Sequence, residues 1–121
     1  MPAESDVVLR YRDGRTERAK LVQTDAEREV CTVRHDGGEN SDIPFAQLKA
    51  VFYPRQSPDA PLEAADGSTI AVEFADGEVI RGIAHYNPER NGFFLFPLDR
   101  SKNDRIFVVN SAILSIEVEK L

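Results

Sequence analysis

Apolar residues alternate with polar or small ones near the start of the chain, at Val7, Leu9 and Tyr11, and the beat returns at Ile70, Val72 and Phe74. A period of two places alternate side chains on one face of an extended strand. Both runs end on Asp-Gly, Asp13-Gly14 and Asp76-Gly77, a dipeptide of tight hairpins where glycine accepts positive φ. The likeness continues: Val7 to Gly14 falls on Ile70 to Gly77, Arg18 on Arg81, and Val30 to Val33 on Phe93 to Phe96. Farther on, Ile43 meets Ile106, and after a slip of a residue or two Leu48 to Tyr53 meets Ile113 to Val118. Agreement of apolar positions and turn residues at a fixed displacement marks a repeated unit. Each unit holds five short apolar runs, with Gly82 suggesting a bend or bulge in a second strand. The charged stretch from Thr24 to Val30 reads as a loop.

These runs predict an all-β protein of two tandem five-stranded SH3/Sm-like small barrels packed together. Repeat 1 is expected over 7–53 and repeat 2 over 69–121, after a disordered N-terminus at 1–6. Between them, 54–68 holds Pro54, Pro58, Pro61 and Asp66-Gly67, and reads as a Pro-rich, semi-rigid linker. A barrel of fifty residues buries little surface alone, so the units should pack on each other. The run Phe93-Phe94-Leu95-Phe96 is apolar on both faces of its strand. One face fills its own barrel, and the other calls for repeat 1, the linker, a partner or a second copy in a homodimer.

Composition narrows the class. The chain has 121 residues, with 15 Lys and Arg against 21 Asp and Glu, a net charge of -6. That balance argues against nucleic-acid binding, which normally leaves a basic footprint. At 41% hydrophobic and 30% charged, the composition is neither that of a disordered tail nor of a membrane protein. No apolar run is long enough for a membrane helix. The acidic first residues have no secretory apolar region, and the single Cys31 offers no disulfide framework, so a cytoplasmic location is expected.

Candidate chemistry is sparse. His35 and His85 stand at non-equivalent positions outside metal-binding spacings, and Cys31 lies in a Val-Cys-Thr-Val strand. His35 reads as a loop residue, His85 as a hydrogen-bonded strand end, and Cys31 as a core thiol. No nucleophile elbow, phosphate loop or dinucleotide fingerprint occurs. No enzyme, cofactor or metal is therefore expected. Two clusters stand out. Arg10, Arg12, Arg15, Arg18 and Lys20 surround the first Asp-Gly turn, where repeat 2 carries Glu73, Ala75, Glu78, Arg81 and Ile83. Either this is a solvated face balanced by Asp13 and Glu17, or it docks an acidic protein surface or a phosphate. A two-residue turn would set Arg12 opposite Arg15, and a bulged one would separate them. The second cluster joins Tyr86 and Arg90 to Phe94 and Phe96 through an Asn-Pro and Asn-Gly loop, either a rigid hairpin or a recognition loop.

The segments Asp76 to Gly82, Tyr86-Asn87-Pro88-Glu89-Arg90, Gly92 to Pro97 and Ile106 to Ala112 resemble an uncharacterised bacterial domain associated with signalling proteins, sometimes near receiver or PilZ modules. The strand pattern is also similar to an Sm-like barrel signature. The resemblance implies a place in bacterial cytoplasmic signalling, and with the sparse chemistry the expected function is a non-catalytic adaptor or regulatory module. The candidate binding surfaces read from the residues are Arg10, Arg12, Arg15 and Arg18, suited to an acidic protein partner, and Tyr86, Arg90, Phe94 and Phe96. The alternative is a regulatory domain that binds a nucleotide or phosphate ligand. The arginine pair and the Asx-Ser-Gly spacing of PilZ second-messenger sites are absent, which lowers that alternative.

Overall fold

The computed structural model describes residues 5–55 and 67–119. Ten strands dominate it. The first half contains β1 (Ser5–Tyr11), β2 (Thr16–Asp25), β3 (Val30–Arg34), β4 (Asn40–Pro44) and β5 (Leu48–Pro54). The second contains β6 (Ser68–Phe74), β7 (Val79–Ala84), β8 (Gly92–Pro97), β9 (Asn103–Val109) and β10 (Ile113–Val118). A single 3-10 turn precedes the last strand of each half, Phe45–Gln47 and Asn110–Ala112. β1 begins inside the tail expected at 1–6; residues 1–4 and 56–66, the latter most of the expected linker, lie outside the described residues.

All ten strands join one antiparallel sheet in the order β10-β6-β7-β8-β9-β5-β1-β2-β3-β4. Its hydrogen bonding is that of an open sheet with β4 and β10 at the edges. Within each half the fifth strand lies beside the first, followed by the second, third and fourth. The halves meet where β5 pairs with β9, Val51 opposite Phe107 and Phe52 opposite Ile106.

Residues directly opposite each other share a face, so the registers trace two rows across this seam. One row runs Leu9, Val51, Phe107, Phe94; the other runs Val8, Phe52, Ile106, Leu95, Ala84. The first row is buried at Leu9 and exposed at Phe94, whereas the second is half-buried at Val8 and buried at Leu95. The buried face of the sheet thus changes side at the seam. This accounts for β5, buried at six successive positions from Leu48 to Tyr53, and for the four buried residues ending β9. A strand enclosed on both faces reads as a continuous apolar run. A single core cluster collects residues from both halves.

Bulges fix two further details. Arg10 pairs with Ala50 and Tyr11 with Leu48, so Lys49 is the extra residue in β5. At the matching place in β10 the extra residue is Leu114. A bulge re-aims its side chain, and Lys49 is directed into the molecule while Leu114 faces solvent.

Candidate functional site

The first Asp-Gly turn takes the bulged form. Tyr11 N–H donates to Arg15 O at 2.9 Å and Gly14 N–H to Tyr11 O at 3.2 Å, with Gly14 at φ 95°. Arg12 and Arg15 therefore part company. Arg15 stacks on the Tyr11 ring at 4.6 Å and pairs with Asp13 at 2.7 Å. The Arg15 backbone N–H and then its side chain hold the Asp13 carboxyl below the ordinary aspartate value. Arg12, though exposed, reaches across the halves. Its guanidinium donates to Leu48 O and Phe45 O, each at 3.0 Å, and to Ser111 Oγ at 2.5 Å. Arg10 stacks on Phe52 at 4.3 Å and reaches both oxygens of Glu78 at 3.1 and 3.2 Å. Arg18 alone of the four stands exposed in mid-strand without such an engagement.

This cluster is largely a clamp between halves. Lys49, 7% exposed, donates to Asp76 at 2.7 Å and to Glu78, and lies 4.7 Å from the Phe74 ring centre. Burial pulls the Lys49 ammonium down, but its hydrogen bonds to Asp76 and Glu78 outweigh that and leave it raised. Lys49 and the Glu78 backbone N–H hold Asp76 below its ordinary range. Sequence reasoning missed Lys49, Asp76 and Glu78. The available signal was a lysine inside the apolar run Leu48 to Tyr53.

The second cluster converges. Tyr86, Arg90, Phe94 and Phe96 all line a groove of about 930 Å³. One wall is the 85–91 loop, another is β8 with Phe107 beneath it, and the first half adds Thr24 from the end of β2 with Ala26 and Glu27 from the turn after it. Asn91 ties the walls together by donating to Ala26 O at 2.8 Å. The loop is held from below by the Asn110 side chain, which donates to Asn87 O at 3.1 Å and to Arg90 O. Phe94 is 42% exposed and Tyr86 40%, despite edge-on contacts of Phe94 with Phe107 at 5.3 Å and Tyr53 at 5.8 Å. The first half thus covers part of the outer face of β8 and leaves the rest open. Arg105 stacks on Tyr53 and Phe94 at 4.6 and 5.0 Å, and Arg100 on Phe96 at 5.1 Å. Gly92 is required at the groove floor, because a Cβ there would collide with the Phe107 ring. The groove is apolar and aromatic at its base, with Glu27, Glu89, His85 and Arg90 around it.

The remaining chemistry-bearing residues lie apart. Cys31 is fully buried, its thiol pushed up by burial. His35 is held by Ser41 at 2.9 Å and Glu17 at 3.3 Å, more enclosed than the expected loop residue. His85 is exposed at the groove. Among the described residues no group of three or more His, Cys, Asp or Glu is placed to hold a metal ion, and no helix is long and apolar enough to cross a membrane. The groove can bury an apolar side chain against Phe94 and Phe96 and offer polar contacts at its edge. No curated protein and no solved structure matches the chain. A family model does, over residues 3–120, and the chain accordingly belongs to the family of unknown function DUF6982.

Proposed function

We propose that the protein is a non-catalytic interaction module that receives a segment of a partner protein in the aromatic groove between its halves. The observation that carries this reading is the convergence of Tyr86, Arg90, Phe94 and Phe96 on one groove walled from both halves. Exposed aromatic side chains beside an arginine are the residue types that dominate protein recognition. The strand order of each half, fifth-first-second-third-fourth, supports the small-barrel architecture expected from sequence. An adaptor or regulatory role in bacterial cytoplasmic signalling is the setting that the sequence resemblance suggests. The phosphate-ligand alternative draws less support, since Arg10 and Arg12 spend their donors on Glu78, Phe45, Leu48 and Ser111. An acidic partner at the basic tip is left with Arg15 and Arg18.

Paired surface variants test the assignment by affinity capture from the native cell extract. Tyr86→Ser with Arg90→Glu should abolish partner capture while the melting temperature stays unchanged. Arg15→Glu with Arg18→Glu should leave capture intact. The opposite pattern would place the binding surface at the basic tip instead.

A further inference from the structure

The two halves differ at one place in the sheet. In the first half β2 continues past Leu21–Val33 with three more cross-strand pairs, Gln23–Thr32, Thr24–Cys31 and Asp25–Val30. In the second half the matching ladder stops at Ala84–Leu95. Chain that would continue β7 leaves the sheet as His85-Tyr86-Asn87-Pro88, and Pro88 has no N–H to give a ladder. Gly92, Phe93 and Phe94 therefore have β9 as a strand neighbour on one flank and no strand on the other. The groove lies along that flank.

Backbone direction tells which groups face it, because N–H and C=O alternate sides along a strand. Asn110 N–H donates to Asn91 O on the β9 side at 2.9 Å, and Leu98 N–H donates to Arg81 O on the β7 side at 3.3 Å. Odd-numbered residues of β8 thus turn their backbone polar groups toward β9, and even-numbered ones toward β7. Gly92 and Phe94 direct theirs to the side without a strand. On the outer face above them lie Phe94, Phe96 and the Phe107 ring across Gly92.

We propose that the occupant of the groove is an extended segment of a partner protein that adds as a strand beside Gly92–Phe94, completing in the second half the ladder that Gln23–Asp25 completes in the first. The inference rests on the groove reading above and specifies its mode. Backbone hydrogen bonds to Gly92 and Phe94 hold the segment, and an apolar side chain over Phe94 and Phe96 selects it. Half of the segment's residues, in alternation, face β8 with their N–H groups.

The test uses the full chain and a displayed library of random octapeptides, with selected binders resynthesised. Two N-methylated versions of each binder carry the methyl groups on alternate residues, one set on odd and one on even positions. One set should weaken binding by about tenfold or more, the loss of a backbone hydrogen bond, and the other should leave it unchanged. Bound peptide should also slow hydrogen exchange at the Gly92 and Phe94 amides. Peptides that need Tyr86 and Arg90 but tolerate both methylated sets, or leave those amides unprotected, would overturn strand addition and leave the groove reading standing. Recovery of no peptide whose binding depends on Tyr86 and Arg90 would overturn both.

Discussion

Arg12 shows how a residue that looks like a surface charge can be a structural part. Its planar fork spans two carbonyl groups beside one 3-10 turn and the hydroxyl of Ser111 beside the other. Hydrogen bonds from a charged donor contribute more than neutral ones, and the acceptors left behind are costly. Arg12→Ala should destabilise the fold by about 1–3 kcal/mol in urea unfolding, and Arg12→Lys should recover little, since an ammonium cannot reproduce the fork. Arg15→Ala, which removes an exposed pair with Asp13, should change stability by less than about 0.5 kcal/mol. Lys49 makes a pH-dependent claim. The lowered Asp76 carboxyl contributes stability above its unfolded value of 3.8, lost as pH falls through the folded value. The raised Lys49 ammonium contributes below its unfolded value of 10.5, lost as pH rises through the folded value. The stability difference between wild type and Lys49→Met should therefore be flat between those limits and shrink beyond each. A difference that persisted at pH 2 would show that Lys49 acts through its packing alone. Tyr11 sits beside this region with its hydroxyl donating to Glu17 at 2.9 Å; burial and then that carboxylate push it up to about 12, so it stays a neutral donor across the ordinary range.

Strands were readable because alternation and turn dipeptides are local properties. Each apolar run noted from Val7 to Val118 lies within or overlaps a strand, and of the two apolar faces of Phe93 to Phe96 one is buried while the other is only partly covered. What the sequence withheld was pairing between distant segments. Nothing local says that β5 lies beside β9, and so nothing announced that Lys49 would meet Asp76 and Glu78 or that Thr24, Ala26 and Glu27 would wall the groove. The contacts of Arg10 and Arg12 were hidden for the same reason, because charge spacing along a hairpin does not reveal a carbonyl or carboxylate across the molecule. Tyr86, Arg90, Phe94 and Phe96 could be grouped from sequence because they are near neighbours on one loop and strand, and they line one groove. The seam itself can be probed by side-chain volume. Phe107→Ala should cost about 3–5 kcal/mol, the usual loss for a buried ring. Gly92→Ala should destabilise by about 1–3 kcal/mol through its collision with that ring, measured by chemical denaturation. If Gly92→Ala is neutral in wild type, the ring does not press on the backbone as described.

Core residues from both halves belong to one cluster, and the seam strands serve the layer on either side. Thermal unfolding followed by circular dichroism and by tyrosine fluorescence should accordingly give one coincident transition. Two separable transitions would mean that each half holds its own core. The seam also has a consequence in time. Synthesis delivers β5 complete at Pro54, yet its partner β9 begins at Asn103, roughly fifty residues later, and ribosomes add on the order of 5–20 residues per second. For seconds the nascent chain carries Leu48 to Tyr53, which ends up enclosed on both faces, with β1 along one edge and no strand yet made for the other. Non-local pairings of this kind are slow and leave sticky intermediates. Translation stalled at residue 55 should release chains that aggregate, and stalling after Val109 should not. The arrangement that welds the halves together therefore sets a hazard for the newborn chain, one that chaperones or a swift ribosome must bridge.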